Sequence, residues 1–136
     1  MPILFVAWVM PHAGCASDRP WSISEANFRK LSIREYTPNY PDESRRHGNA
    51  GVAVVSVVLK ADGRVSAVSL LEAPDKAIGR EVVRTARQWV FQQQVAGTSD
   101  RPREGRLTFY FRLVDGRGTV LNPEQMLQAT LRSEAR

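Results

Sequence analysis

The residues able to do chemistry in this 136-residue chain are few. The one thiol is Cys15, and the two imidazoles are His12 and His47. A single cysteine excludes an internal disulfide and a cysteine-rich zinc site. Two lone histidines offer little to metal binding or general-base catalysis. His47 follows Arg46 at an expected helix end and reads as a surface residue. Glu72 and Asp75 flank a turn, with no acidic or basic residue placed to work with them. Gly116-Arg117-Gly118 is too short to cradle a phosphate, and neither a nucleophile elbow nor metal-ligand spacing occurs. The sequence therefore assigns no catalytic residue, no metal and no cofactor, and an enzyme is not expected.

Cys15 has a different use. Residues Ile3 to Met10 are apolar, and Met1 to Gly14 holds no charge apart from His12. The stretch is too short to span a bilayer and suits the apolar part of an export signal over 1–15. Ala13-Gly14-Cys15 resembles a bacterial lipoprotein cleavage site, in which the cysteine becomes the acylated first residue. His12 stands where leucine is usual, and the expected early Lys or Arg is missing. Lipidation of Cys15 would occupy an otherwise free thiol in an exported protein.

Charge suggests one further chemistry and then withdraws it. The net charge is +5 and the pI about 10.0, with arginine supplying 16 of the 19 basic residues. Such a balance points first to nucleic acid. The charges are dispersed, however: residues 18–47 carry six basic and five acidic groups. No basic run interleaves with aromatics, so a solvated arginine-biased surface is expected and no nucleic-acid partner.

The elements that must position any site follow from pattern. Residues 16–35 read as a linker or a short helix capped by Ser24, with Phe28 and Leu31 on one face. Pro41, Asp42 and Glu43 open a short helix that Gly48 stops. Gly51 to Leu59 (GVAVVSVVL) is the clearest strand, with Ala53, Val55, Val57 and Leu59 inward. Asp62-Gly63 is read as a tight primed hairpin turn, and Val65 to Leu71 as the returning strand. Ile78, Val82, Ala86 and Trp89 recur at helical intervals, so one stripe lies on the sheet, and Trp89 and Phe91 anchor its end. Gln92 to Arg103 reads as a loop. From Arg106 to Leu113, Leu107, Phe109, Phe111 and Leu113 alternate with Thr108, Tyr110 and Arg112. Asp115-Gly116 turns the chain toward a short strand at Thr119 to Leu121, and Asn122-Pro123 caps a last helix. The predicted fold class is α+β: a three-stranded antiparallel sheet with a helix packed on one face, plus an extra C-terminal helix in 115–136.

The ordered features over residues 36–114 resemble the C-terminal domain of TonB-type energy transducers. They comprise Pro38-Asn39-Tyr40-Pro41, Gly51, the strand to Leu59, Asp62-Gly63-Arg64-Val65, Val68, Ile78, Ala86-Arg87, Trp89 and Phe91, and the strand Arg106 to Leu113. The resemblance implies a periplasmic domain that pairs its last core strand with an extended segment of an outer-membrane receptor or other envelope protein. A pull driven by the inner-membrane proton gradient would then pass through that pairing. Carried over here, the partner-binding residues would be Leu107, Thr108, Phe109, Tyr110, Phe111, Arg112 and Leu113, with Pro38, Tyr40 and Pro41 nearby; the equal alternative is that the C-terminal tail covers this strand.

The family's transducers also carry a membrane-spanning helix and a long proline-rich spacer, and neither stands in these residues. Two readings follow: a transducer domain with an upstream extension, or a stand-alone envelope lipoprotein that reuses the fold as an adaptor. Membrane attachment would come through a lipid on Cys15 or an upstream helix. Val52, Val54 and Val58 give the first strand an apolar outer face. That face predicts a cover, by the tail helix in preference to the N-terminal segment or a second copy in a homodimer.

Overall fold

The computed structural model describes residues 19–95 and 100–135. Strand β3 (Gly51–Leu59) sits between β4 (Val65–Glu72) and β6 (Arg103–Val114), antiparallel to both. Two valine pairs, Val54-Val55 and Val57-Val58, with Val52 before them, make β3 a natural central strand. Helix α3 (Lys76–Gln88) packs on one face of this trio. The expected α+β core is therefore present, and the sheet is larger than expected. Strand β1 (Trp21–Ser22) adds in parallel to the start of β6, and β7 (Arg117–Leu121) adds antiparallel to its end. A second ribbon pairs β2 (Ser32–Arg34) with β5 (Val90–Phe91) beneath the exit of α3.

The core lies between the sheet and α3. Ala53, Val55, Val57 and Leu59 from β3 meet Ile78, Val82 and Ala86 from α3, all fully buried. Leu107, Phe109 and Phe111 complete it from β6. Trp89 pins the helix exit: its ring stacks 6.0 Å from Phe91 and meets Phe109 edge-on at 6.2 Å. Its indole Nε1–H donates to the Tyr36 carbonyl at 2.9 Å, so the buried polar end is satisfied.

The first Asp-Gly turn departs from its reading, and the second forms as expected. At Asp62-Gly63 only Gly63 has a positive φ (+86°), and the connection spans Lys60 to Arg64, closed by Lys60 N–H donating to the Arg64 carbonyl at 2.9 Å. The tight two-residue turn is at the other Asp-Gly pair instead, with φ of 51° at Asp115 and 75° at Gly116. Strand β6 also begins at Arg103, earlier than the loop reading allowed, with the Arg103 Nη2 donating to the Gln92 carbonyl at 2.9 Å.

The tail helix α4 (Pro123–Glu134) carries the full reciprocal cap between Asn122 and Gln125. It lies against β6 and β7 and buries none of its residues. Val52, Val54 and Val58 are half-buried. The tail helix packs chiefly on β6 and β7 rather than on β3, so the expected cover of this face by α4 is a partial one.

Asp75 fixes the other end of α3. Its carboxylate accepts from the Ile78 N–H at 2.8 Å and from the Asn49 side chain at 2.9 Å, tying the helix start to the loop after α2 (Asp42–Arg46). Burial pushes the Asp75 pKa up, but these hydrogen bonds together bring it below its ordinary value.

Two measurements check this framework. Trp89→Ala should cost about 3–5 kcal/mol in urea unfolding, since a large buried ring leaves a cavity. The stabilisation from the depressed Asp75 pKa should be complete above the unfolded carboxyl's pKa of about 3.9 and be lost as pH falls through the lower folded value. Unfolding free energies measured downward from pH 6 should therefore fall less steeply for Asp75→Asn than for the native chain.

Candidate functional site

The candidate edge is β6, and its hydrogen-bonding parity decides which groups could meet a partner. Thr108 N–H and C=O both point away from β3, so Val54 and Thr108 form a non-hydrogen-bonded pair. Alternation then aims the backbone groups of Glu104, Arg106, Tyr110, Arg112 and Val114 outward as well. The Ile23 N–H donating to the Glu104 carbonyl at 2.8 Å agrees. Side chains follow the same alternation. Leu107, Phe109 and Phe111 are core residues, Thr108, Tyr110 and Leu113 are half-buried, and Arg112 is exposed.

The chain itself occupies this edge, the C-terminal tail included, which is the second of the two states expected for Leu107 to Leu113. Three elements of the same chain share it. β1 takes Arg103 and Glu104, and β7 takes Tyr110 to Val114. Between them stands α1 (Glu25–Lys30), the short helix capped by Ser24. The Glu25 carboxylate accepts from the Thr108 N–H at 2.6 Å and from its hydroxyl at 2.8 Å. Arg29 donates to the Thr108 carbonyl at 2.8 Å and pairs with Glu25 at 3.2 Å. Two side chains thus imitate a neighbouring strand at one residue. The Arg29 guanidinium also lies 5.5 Å from the Trp89 ring centroid and 5.6 Å from that of Phe109.

Sequence reasoning placed α1 but missed this role. The signal was Gly105 together with Phe28. Phe28 is fully buried, 4.8 Å from Phe91, and a Cβ at Gly105 would come within 2.1 Å of its ring. An isolated glycine in a strand marks such a close approach.

Pro38, Tyr40 and Pro41 form a strap on the α3 side. Pro38 is buried, Pro41 precedes α2, and the Asn39 N–H donates to the Glu81 carboxylate at 3.1 Å. The Tyr40 hydroxyl donates to the Asn49 carbonyl, and its ring meets Phe111 edge-on at 5.3 Å. A Cβ at Gly118 would lie 2.6 Å from that ring, so β7 rests directly on Tyr40. Burial, and then the negative charge of Asp75, raise the Tyr40 pKa. These residues support β6 and β7 from beneath rather than forming an open surface.

Among the described residues no group of three His, Cys, Asp or Glu side chains could hold a metal ion, and no helix is long and apolar enough to cross a membrane. Cys15 and the export segment lie outside the described residues.

A long last strand, β6, completes an antiparallel trio with one helix packed on its face. The chain belongs to the family described as Gram-negative bacterial TonB protein C-terminal, whose profile matches residues 36–113. It is similar to the solution structure of the Pseudomonas aeruginosa TonB C-terminal domain, with a TM-score of 0.52 and 28% identity. That match covers 63% of this chain and 88% of the other. No curated protein sequence matches. The family is periplasmic and acts through protein interaction in envelope transport.

The α1 clamp makes a specific expectation. Glu25→Ala should accelerate hydrogen exchange at the Thr108 amide well beyond that of Leu107, whose N–H is paired with β3. Equal change at both positions would mean general loosening instead of loss of a local acceptor.

Proposed function

We propose that this domain binds an extended segment of an outer-membrane receptor, or of another envelope protein, by strand addition to β6, in energy-dependent transport across the outer membrane. One observation carries the site: β7 and α4, which occupy the C-terminal half of the β6 edge, contain no buried residue. An element with so little burial opens at small cost, and an incoming strand restores the hydrogen bonds that β7 gives up. The groups offered would be the N–H and C=O of Tyr110, Arg112 and Val114, with Thr108 added if α1 also withdraws. Leu107, Phe109, Phe111 and Leu113 would set the strand's rigidity from the core side. Pro38, Tyr40 and Pro41 would hold Phe111 in place while β7 leaves. A partner strand lying along β6 carries tension in parallel across its hydrogen bonds, which suits transmission of a pull.

Ala13-Gly14-Cys15 favours a second reading, an adaptor anchored by a lipid on Cys15 and using the same edge without force. Palmitate labelling that is lost in Cys15→Ala would support it, and a membrane-spanning extension encoded upstream of Met1 would support the transducer.

The strand-exchange step is testable with a reversible lock. Arg112 and Thr119 are register partners and exposed, so cysteines there meet disulfide geometry. In an Arg112→Cys/Thr119→Cys chain that also carries Cys15→Ser, oxidation should abolish binding of N-terminal receptor peptides in fluorescence anisotropy. Reduction should restore it. Undiminished binding by the oxidised form would place the receptor segment elsewhere.

A further inference from the structure

The other end of the sheet is unoccupied. β4 is the terminal strand in the order β1-β6-β3-β4, and among the described residues nothing pairs with its outer side. Natural edge strands are protected by Lys, Arg or Pro, by bulges, or by a covering element. β4 reads VSAVSLLE, without Lys, Arg or Pro. Its register shifts lie at the two ends of the ladder, so Ala67 to Leu70 pairs regularly with β3. Leu70 is 44% exposed and Leu71 50%. The parity set by Thr108 extends to this strand: Val54, Ser56 and Val58 point their backbone groups toward β4, which leaves those of Val68 and Leu70 facing outward.

Beside this edge runs a groove of about 660 Å³ between β4 and α3. Leu70 and Val83 line its apolar part. Lys76, Arg80, Arg84 and Arg87 line the rest, and no acidic residue does. Arg84 is paired with Glu81 at 2.6 Å, whereas Lys76, Arg80 and Arg87 have no carboxylate within ion-pair distance among the described residues. The spacing of three and four residues puts these cations side by side on one helix face, where like charges repel. Lys76 also stands in the first helical turn, which the helix dipole makes unfavourable for a cation. A row of cations without an ion-pair partner, beside an edge that is regular and uncharged from Ala67 to Leu70, is complementary to a strand carrying acids.

We infer that the β4 edge and the β4–α3 groove form a second docking surface, separate from β6, for an extended acidic segment of another envelope protein. The segment adds as a strand through the outward groups of Val68 and Leu70. Its apolar side chains rest on Leu70 and Val83, and its carboxylates meet Arg80 and Arg87. A second copy of this chain is the poorer occupant, because two such edges meeting about a two-fold axis bring two cationic grooves together. The N-terminal 18 residues carry a single acid, Asp18, and lack the required charge.

The test uses the full chain and a ten-residue acetylated peptide alternating valine with glutamate. In a titration followed by amide resonances, saturable shifts should appear in residues 65–72 and 76–88 and leave β6 and β7 unmoved. The double variant Arg80→Glu/Arg87→Glu, both exposed and outside the core, should weaken binding at least tenfold with unchanged circular dichroism. Leu70→Pro removes an outward N–H that the β3 ladder does not use, and should weaken binding likewise. The matching valine–lysine peptide should not bind. The inference is overturned by equal binding of both peptides, by shifts confined to β6 and β7, or by no saturable shift. A dimer in sedimentation velocity that Leu70→Pro dissociates, without peptide shifts, would overturn it in favour of a second copy. The disulfide lock on β7 leaves this surface untouched, so failure here and failure of strand exchange at β6 are distinguishable.

Discussion

Strand β6 imposes the requirement around which this domain is assembled. A strand of twelve residues carries two rows of backbone donors and acceptors, and β3 satisfies only one. Unpaired groups near a core cost as much as a lost hydrogen bond. The chain meets the second row with three unlike devices: a parallel strand, a helix side-chain pair and a hairpin. The segments before residue 36 and after 114 therefore complete the same sheet that the family's core begins.

The devices differ in how firmly they hold. α1 is anchored by Phe28, which enters the core through the gap left at Gly105. β7 is anchored only from the side, by Val120 against the core and Gly118 over Tyr40. A deep anchor and a shallow one on the same edge give the two halves of β6 different accessibility. That asymmetry follows from packing and needs no special sequence at the edge itself.

Much of this was legible because local pattern and tertiary use agree. The β-branched run in β3, the alternation of Leu107, Phe109 and Phe111, and the stripe Ile78, Val82, Ala86 each reach the burial that their period implies. Ser24 and Asn122 cap helices as their side chains allow. What pattern could not show was pairing between distant segments. Trp21-Ser22 is too short to announce a strand, and the contact of Glu25 with Thr108 joins residues 83 apart. The Asp62-Gly63 reading chose the wrong turn geometry because a dipeptide does not reveal how many flanking residues the loop uses. Whether the edge at Leu107 to Leu113 is open or covered by the tail stayed undecided in the sequence for a related reason: Asp115-Gly116 signalled the hairpin, but hairpin formation and edge occupation are one event in space and two in sequence.

The separation between Glu25 and Thr108 also governs the order in which the structure can come into being. Contacts between distant residues wait for the intervening chain and make folding slow relative to local hairpins. As the polypeptide is delivered from its N-terminus, Phe28, Glu25 and Arg29 emerge long before Gly105 and Thr108 exist to receive them. The hairpin of β3 with β4 can form early, but the layer beneath Trp89 stays open until β6 arrives. The last third of the chain thus acts as a commitment step for the contacts that Phe28, Glu25 and Arg29 make.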